Sequence, residues 1–99
     1  MADGEVLALA QDMTLSRDAF LRSLAAAVGH AAFRAEDADI RPVDPAQPWR
    51  IVLTPLSDLR LGQLTLPRQR VQIFLRNCGP EATTKFLERF ELYFRRAGG

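Results

Sequence analysis

The residues best suited to binding chemistry lie mainly in one alternating segment in the second half of the chain. Residues spaced two apart point to the same face of a strand, so this segment predicts a row of arginines around one aromatic ring. Arg50, in an earlier alternating segment, can lie on the matching face of a neighbouring strand. Arginines beside an aromatic ring hold carboxylates and phosphates and stack on bases. The predicted binding residues are Arg50, Arg68, Arg70, Gln72, Phe74 and Arg76.

Two kinds of partner fit such a face, and a third interpretation needs no partner. We expect first a contact with a protein, either an acidic partner or another copy of this chain, because opposite charges speed association. The alternative is nucleic acid, whose phosphates the same arginines can bind. An arginine-rich sheet face is also typical of a solvated surface with protected edges.

Catalysis requires reactive groups that converge, and this chain has few of them. Cys78 and His30 are the only obvious nucleophile and base. Cys78 precedes a predicted helix N-terminus, a position that can activate a thiol, but nothing in the sequence brings His30 to it. We therefore predict no catalytic residues and a protein that is not an enzyme.

The sequence predicts no cofactor and no metal site. One cysteine and one histidine cannot supply the usual zinc ligands. The acidic segment, which contains Glu36, Asp37, Asp39 and Asp44, lacks the glycine turn and the distal glutamate of a calcium loop. A glycine-rich phosphate loop is also missing from the sequence.

The composition is that of one small globular domain. Of the 99 residues, 47% are hydrophobic and 25% are charged, which argues against disorder. No apolar run approaches the roughly 20 residues of a membrane span, and no basic residue precedes the short apolar run at residues 6–10, as a signal peptide requires. With a single cysteine as well, we expect a cytoplasmic protein. The strong preference for arginine over lysine is typical of a GC-rich genome and suggests a bacterial source.

Charge is divided unevenly along the chain although the net charge is only +1. Residues 1–47 hold eight acids and four arginines, whereas residues 48–99 hold nine bases and four acids. Such asymmetry is a hint about association and not about fold.

Two helices are predicted, one in each half of the chain. Ser16 is a suitable N-cap, apolar side chains from Phe20 onward recur at helical spacing, and Gly29 is a natural end. The second helix begins at Pro80, which suits a first helical position, and continues to residue 96 with a bulky apolar stripe centred on Phe90.

Between the helices, a period of two predicts three strands joined as a meander. The first strand begins at Trp49 and should end at Pro55, before a turn at Ser57-Asp58. The second covers residues 59–66 with a bend at Gly62, and Pro67 separates it from the third. Phe33 can belong to a further short strand.

These elements predict an α+β fold in two layers, in the order α-(β)-β-β-β-α. An antiparallel sheet of three or four strands carries two helices on one face. Residues 15–97 form the single domain, and residues 1–14 form an N-terminal tail that can dock on it. We expect a small non-catalytic binding or accessory domain.

Two resemblances suggest other functions. The order helix, three strands, helix is similar to that of double-stranded-RNA-binding domains, which implies RNA contact. Residues 80–85 (PEATTK) hold one lysine and one acid where that family has a lysine-rich cluster. The terminal Gly98-Gly99 resembles the end of ubiquitin-like sulfur carriers, but here the predicted helix leaves no extended tail before it.

Overall fold

The computed structural model describes residues 4–96, which form a five-stranded antiparallel sheet and two α-helices. A short 3-10 helix, His30–Ala32, follows the first α-helix. The elements in chain order are β1 (Glu5–Met13), α1 (Arg17–Val28), β2 (Phe33–Glu36), β3 (Asp39–Pro42), β4 (Trp49–Leu61), β5 (Leu64–Arg76) and α2 (Pro80–Arg96). The α+β class, the antiparallel sheet and the two helices are confirmed. The strand count was wrong, because the sheet has five strands in the order β1-β5-β4-β3-β2.

The predicted three-strand meander is one long hairpin of two 13-residue strands, β4 and β5. Gly62, with φ of 60°, and Gln63 form its two-residue turn, where the sequence suggested a bend within a strand. Glycine suits this position because type II′ hairpin turns require a positive φ there. The predicted turn near Ser57 is a register irregularity between Leu56 and Leu59.

Pro55 and Pro67 can lie inside strands because, at both positions, an N–H group would face no neighbouring strand. Leu53 N donates to the Ala38 carbonyl at 2.8 Å. N–H groups alternate sides along a strand, so Pro55 turns its nitrogen to the same side, beyond the end of β3. Pro67 similarly lies beyond Gln69, the last residue of β5 paired with β1. Proline is tolerated at such free edges.

The N-terminal segment, which the sequence presented as a tail, supplies β1. This strand pairs antiparallel with β5 from Glu5↔Arg76 to Met13↔Gln69, with an irregularity between Leu7 and Leu9. It is an edge strand. The apolar residues at its start follow neither the spacing of a regular helix nor that of an uninterrupted strand. Its addition to β5 moves β5 into the interior of the sheet.

Both helices begin as their sequences predict. Ser16 caps α1 by accepting a hydrogen bond from Ala19 N at 3.1 Å, and Gly29 follows its last turn. Helix α2 begins at Pro80, with Glu81 in its first turn. Within residues 4–96, neither helix combines the length and the apolar character that crossing a bilayer would require.

The helices and one face of the sheet share the hydrophobic core. Inward residues of the strands alternate with outward ones, so every second side chain is buried from Trp49 to Leu53 on β4 and from Gln69 to Leu75 on β5. Three phenylalanine rings from the helices pack together, with Phe90 and Phe94 stacked at 4.2 Å between centroids. The most buried members of the core are Phe20, Ile40, Ile51, Leu53, Val71, Ile73 and Phe94.

Candidate functional site

All six binding residues predicted from sequence lie on the face of the sheet turned away from the helices, which we call the open face. On β5, the side chains of Gln72 and Phe74 alternate with the buried residues Val71, Ile73 and Leu75. Arg50 on β4 lies directly opposite Phe74 in the β4–β5 register. The remaining predicted residues, Arg68, Arg70 and Arg76, follow the same alternation along β5.

Arg50, on β4, contacts side chains of three other strands on the open face. Its guanidinium carbon lies 4.5 Å from the centroid of the Phe74 ring, a cation–π contact. Arg50 Nε and Nη2 donate to the two carboxylate oxygens of Glu5 on β1, each at 3.0 Å. Arg50 Nη1 donates to Asp39 Oδ1 on β3, also at 3.0 Å. These hydrogen bonds, with Glu5 contributing most, raise the pKa of Arg50 above its ordinary value.

The outer arginines of the open face also have partners within the chain. Arg70 Nε donates to Asp12 Oδ1 at 2.9 Å, and Arg68 Nη2 lies 3.7 Å from the other Asp12 oxygen. Arg76 donates to the carbonyls of Pro45 and Gln47 at 3.1 and 3.3 Å. Acids of the first half of the chain therefore form ion pairs with three arginines of the second half, Arg50, Arg68 and Arg70.

Sequence reasoning missed these three acids as members of the site. Glu5 and Asp12 belong to the segment interpreted as a tail, and Asp39 to an acidic loop. Asp39 lies opposite Val52, so it shares the open face. The uneven charge of the two halves was the signal that could have indicated such pairing, but it does not specify which strands are neighbours.

The contacts with arginine lower the pKa values of Glu5, Asp12 and Asp39. The hydrogen bond from Arg50 is the main cause that lowers the pKa of Glu5, and burial opposes it. For Asp39, burial is the largest influence and raises the pKa, but the hydrogen bonds and the positive charges of Arg41 and Arg50 together lower it below its ordinary value. The hydrogen bond from Arg70 lowers the pKa of Asp12.

We expect the stability of the fold to decrease in acid because of these carboxylates. A group with a lowered pKa in the folded state stabilises the fold fully above its unfolded pKa and loses that contribution as pH falls through the folded value. The decrease should begin below the ordinary pKa values of 4.5 for Glu5 and 3.8 for Asp39. Urea unfolding between pH 3 and pH 7 measures it, and Glu5→Gln with Asp39→Asn should flatten the profile. An equally steep profile in that variant would contradict the assignment.

A cluster of leucines continues the open face along the far part of the hairpin. This part, residues 56–61 and 64–68, extends past the strand pairs of β1 and β3, and we call it the arm. Directly paired residues share a face, and the pairs are Leu59↔Leu66, Leu61↔Leu64 and Leu56↔Arg68. Since Arg68 belongs to the open face, so do all five leucines.

The arm projects from the body of the domain. The molecule measures 45 × 25 × 24 Å, and its long dimension matches 13 strand residues at about 3.3 Å each. Leu61 and Leu64 at the tip are 55% and 62% exposed. The sequence assigned these leucines to one strand of the predicted meander, whereas the structure places them on two paired strands and leaves the outermost pair in solvent.

The groups considered for catalysis lie outside the strands that form the open face. Cys78 is half-buried between β5 and α2 and packs against the core. His30 is exposed in the 3-10 helix after α1. Among the described residues, no group of three or more His, Cys, Asp or Glu side chains is placed to hold a metal ion. Gly98-Gly99 lies outside the described residues.

Comparison with protein-family models, curated proteins and solved structures finds no match for this chain. The fold and surface together define a two-layer α+β domain with an open sheet face, built around an arginine–phenylalanine stack and extended by an apolar arm.

Proposed function

We propose that this chain is a small non-catalytic domain that binds another protein through its open face. The observation that carries this proposal is the leucine cluster of the arm, which lies on the same face of the sheet as the Arg50–Phe74 stack. Exposed apolar clusters bordered by polar residues mark sites of protein interaction. Aromatic and arginine side chains are enriched at the centres of such interfaces.

The expected partner presents an apolar surface edged by hydrogen-bond acceptors. The apolar part of the partner's surface would cover the leucine cluster and remove Leu61 and Leu64 from water. Arg70, whose side chain is 51% exposed, uses Nε for Asp12 and keeps its other N–H groups for carboxylates or carbonyls of the partner. Because the arginines already have acids nearby, the partner need not be strongly acidic.

Nucleic acid suits the open face less well than protein does. Phosphates would have to compete with Glu5, Asp12 and Asp39 for the arginines. These carboxylates would also repel the phosphate backbone of a nucleic acid. The leucine cluster also offers no stacking surface, since stacking on bases requires aromatic rings or guanidinium planes. RNA binding therefore remains the second candidate, with the arginines as its only support.

The proposal is tested by partner capture with wild-type protein and a variant of the arm. Leu61→Ser combined with Leu64→Ser removes the most exposed apolar pair, and recovery of a specific partner should fall at least about tenfold. Leu92→Ser on α2 is the matched control, because Leu92 is similarly exposed at 54%. Replacing Arg68, Arg70 and Arg76 together by Gln should weaken capture mainly at low salt.

Three results would reject the proposed interface. Equal recovery with the leucine variant and wild type would show that the arm makes no contact. Equal losses with the Leu92 control would show a general surface effect. Salt-sensitive binding of generic RNA that the arginine variant abolishes would favour the nucleic-acid alternative.

A further inference from the structure

We infer that the arm pairs with the arm of a second copy of this chain, through the outer edge of β4 and about a two-fold axis at Leu59. The inference concerns the backbone edge of the arm and stands whether or not the open face binds another protein. It follows from four observations: an unpaired edge, the direction of its backbone groups, a blocked edge on the other side, and the placement of two charges.

The outer edge of β4 has no neighbour along the arm within the described residues. Strand β3 pairs with β4 only at Asp39↔Val52 and Ile40↔Ile51, and the Leu53 N–H still reaches Ala38. From there to the turn at Gly62, β4 is hydrogen-bonded on one side, to β5. A two-stranded ribbon of this kind is marginally stable by itself, and further strands stabilise it.

The backbone groups of Asp58 and Arg60 point outward from this edge. A two-residue turn closes with a hydrogen bond between the residues that flank it, here Leu61 and Leu64. Leu61 and Leu59 therefore direct their N–H and C=O groups toward β5. Arg60, between them, directs its groups away from β5, and Asp58, which follows the register irregularity and precedes Leu59, is placed to do the same, so both are available to another strand.

The opposite edge of the arm, on β5, is blocked for pairing. Even-numbered residues of β5 direct their N–H groups toward β4, as Arg76 does when its N donates to the Pro48 carbonyl at 2.9 Å. The N–H groups of the odd-numbered residues therefore point outward, away from β4. Pro67 is one of these odd-numbered residues and has no N–H group that could donate a hydrogen bond to an added strand. Proline at an edge is a common means of preventing strand addition, so only the β4 edge of the arm can accept a strand.

The charges along the β4 edge fit a second copy in one register. In an antiparallel pair centred on Leu59, Asp58 lies opposite Arg60 of the other copy, and the same contact repeats through the two-fold axis. Opposite charges directly across from each other stabilise a strand pair, and like charges destabilise it. A pair centred on Asp58 or on Arg60 would instead place two identical charges face to face.

The same register aligns the backbone and the leucines. Asp58 and Arg60 become hydrogen-bonded pairs, and Leu59 meets its equivalent as a non-hydrogen-bonded pair, in which side chains are closest. The two ribbons join into four strands, and a two-fold axis perpendicular to the sheet puts both open faces on the same side. The dimer thus presents two copies of the binding surface together.

Sedimentation of charge variants tests the register. Wild type should dimerise reversibly, and Asp58→Arg alone or Arg60→Asp alone should weaken the dimer about tenfold or more, because each puts like charges opposite each other twice. The double variant D58R/R60D restores opposite charges and should recover the wild-type dissociation constant. Glu88→Arg on α2 carries the same charge change as Asp58→Arg and should leave the dimer unchanged. A wild type that stays monomeric, or single variants that dimerise as wild type does, would overturn the inference.

Disulfide trapping tests the position of the axis independently of charge. In a Cys78→Ala background, Leu59→Cys should form a disulfide-linked dimer under mild oxidation, since directly opposite residues of a non-hydrogen-bonded pair have Cβ atoms close enough for a bridge. Leu64→Cys is the matched control, because it lies on the same leucine face but on β5, and it should stay largely unlinked. Linking through Leu64→Cys instead would mean that the arms pack face to face and would overturn edge pairing.

Discussion

Phe90→Ala should lower the free energy of unfolding by about 3–5 kcal/mol. Phe90 is 4% exposed, stacks on Phe94, and lies 6.2 Å from Phe20 between ring centroids. The ring thus connects the two helices as well as filling the core over the sheet. Its removal loses the transfer free energy of the ring and leaves a cavity that the rigid sheet beneath cannot close. A domain of this size has only about 5–15 kcal/mol of stability in total.

Urea denaturation followed by circular dichroism measures this effect. Leu92→Ala on the same helix is the control, because its exposed side chain should change the stability by no more than about 0.5 kcal/mol. Equal unfolding curves for Phe90→Ala and wild type would show that α2 does not pack against α1 and the sheet in solution.

Arg50→Lys should lower the free energy of unfolding by about 1–2 kcal/mol although it keeps the charge. The guanidinium makes three hydrogen bonds at 3.0 Å and covers the Phe74 ring. An ammonium group cannot reach both Glu5 and Asp39 with this fork geometry and stacks poorly on the ring. Edge strand β1 should lose the most, because Glu5 is its side-chain link to β4.

Hydrogen exchange resolves where the stability is lost. Amides of β1 that bond to β5 should exchange faster in Arg50→Lys, whereas those between β4 and β5 should change little. Arg41→Lys is the control, since Arg41 also pairs with Asp39 but is 66% exposed. Equal protection of β1 in Arg50→Lys and wild type would show that the fork contributes nothing to holding the edge strand.

Local patterns account for the parts of the fold that were predicted correctly. The caps at Ser16 and Pro80 and the helical spacing of apolar residues depend on neighbours within one or two turns. The period of two in β4 and β5 likewise indicates which side chains share a face. For this reason the sequence predicts a common surface for the six candidate residues without any knowledge of strand pairing.

Prolines caused the two strands of the hairpin to be predicted as three, and the sheet still has more strands than expected because β1 and β3 were not predicted. Pro55 and Pro67 are strand terminators only where their missing N–H would face a neighbour. Whether a neighbour is present depends on how far β3 and β1 extend, which is a property of the assembled sheet. The turn was therefore assigned near Ser57 instead of at Gly62, and one hairpin was divided into three strands.

The helices, the alternation of the long strands and the common face of the arginines follow from local sequence, because each depends on contacts between near neighbours. The partners of the arginines depend instead on how the strands assemble. Arg50 and Glu5 are 45 positions apart, and Arg70 and Asp12 are 58 apart. Such contacts exist only because β1 adds to the edge of β5, and no local period encodes that pairing. The extension of the arm beyond its neighbours was decided in the same way, by where the other strands end.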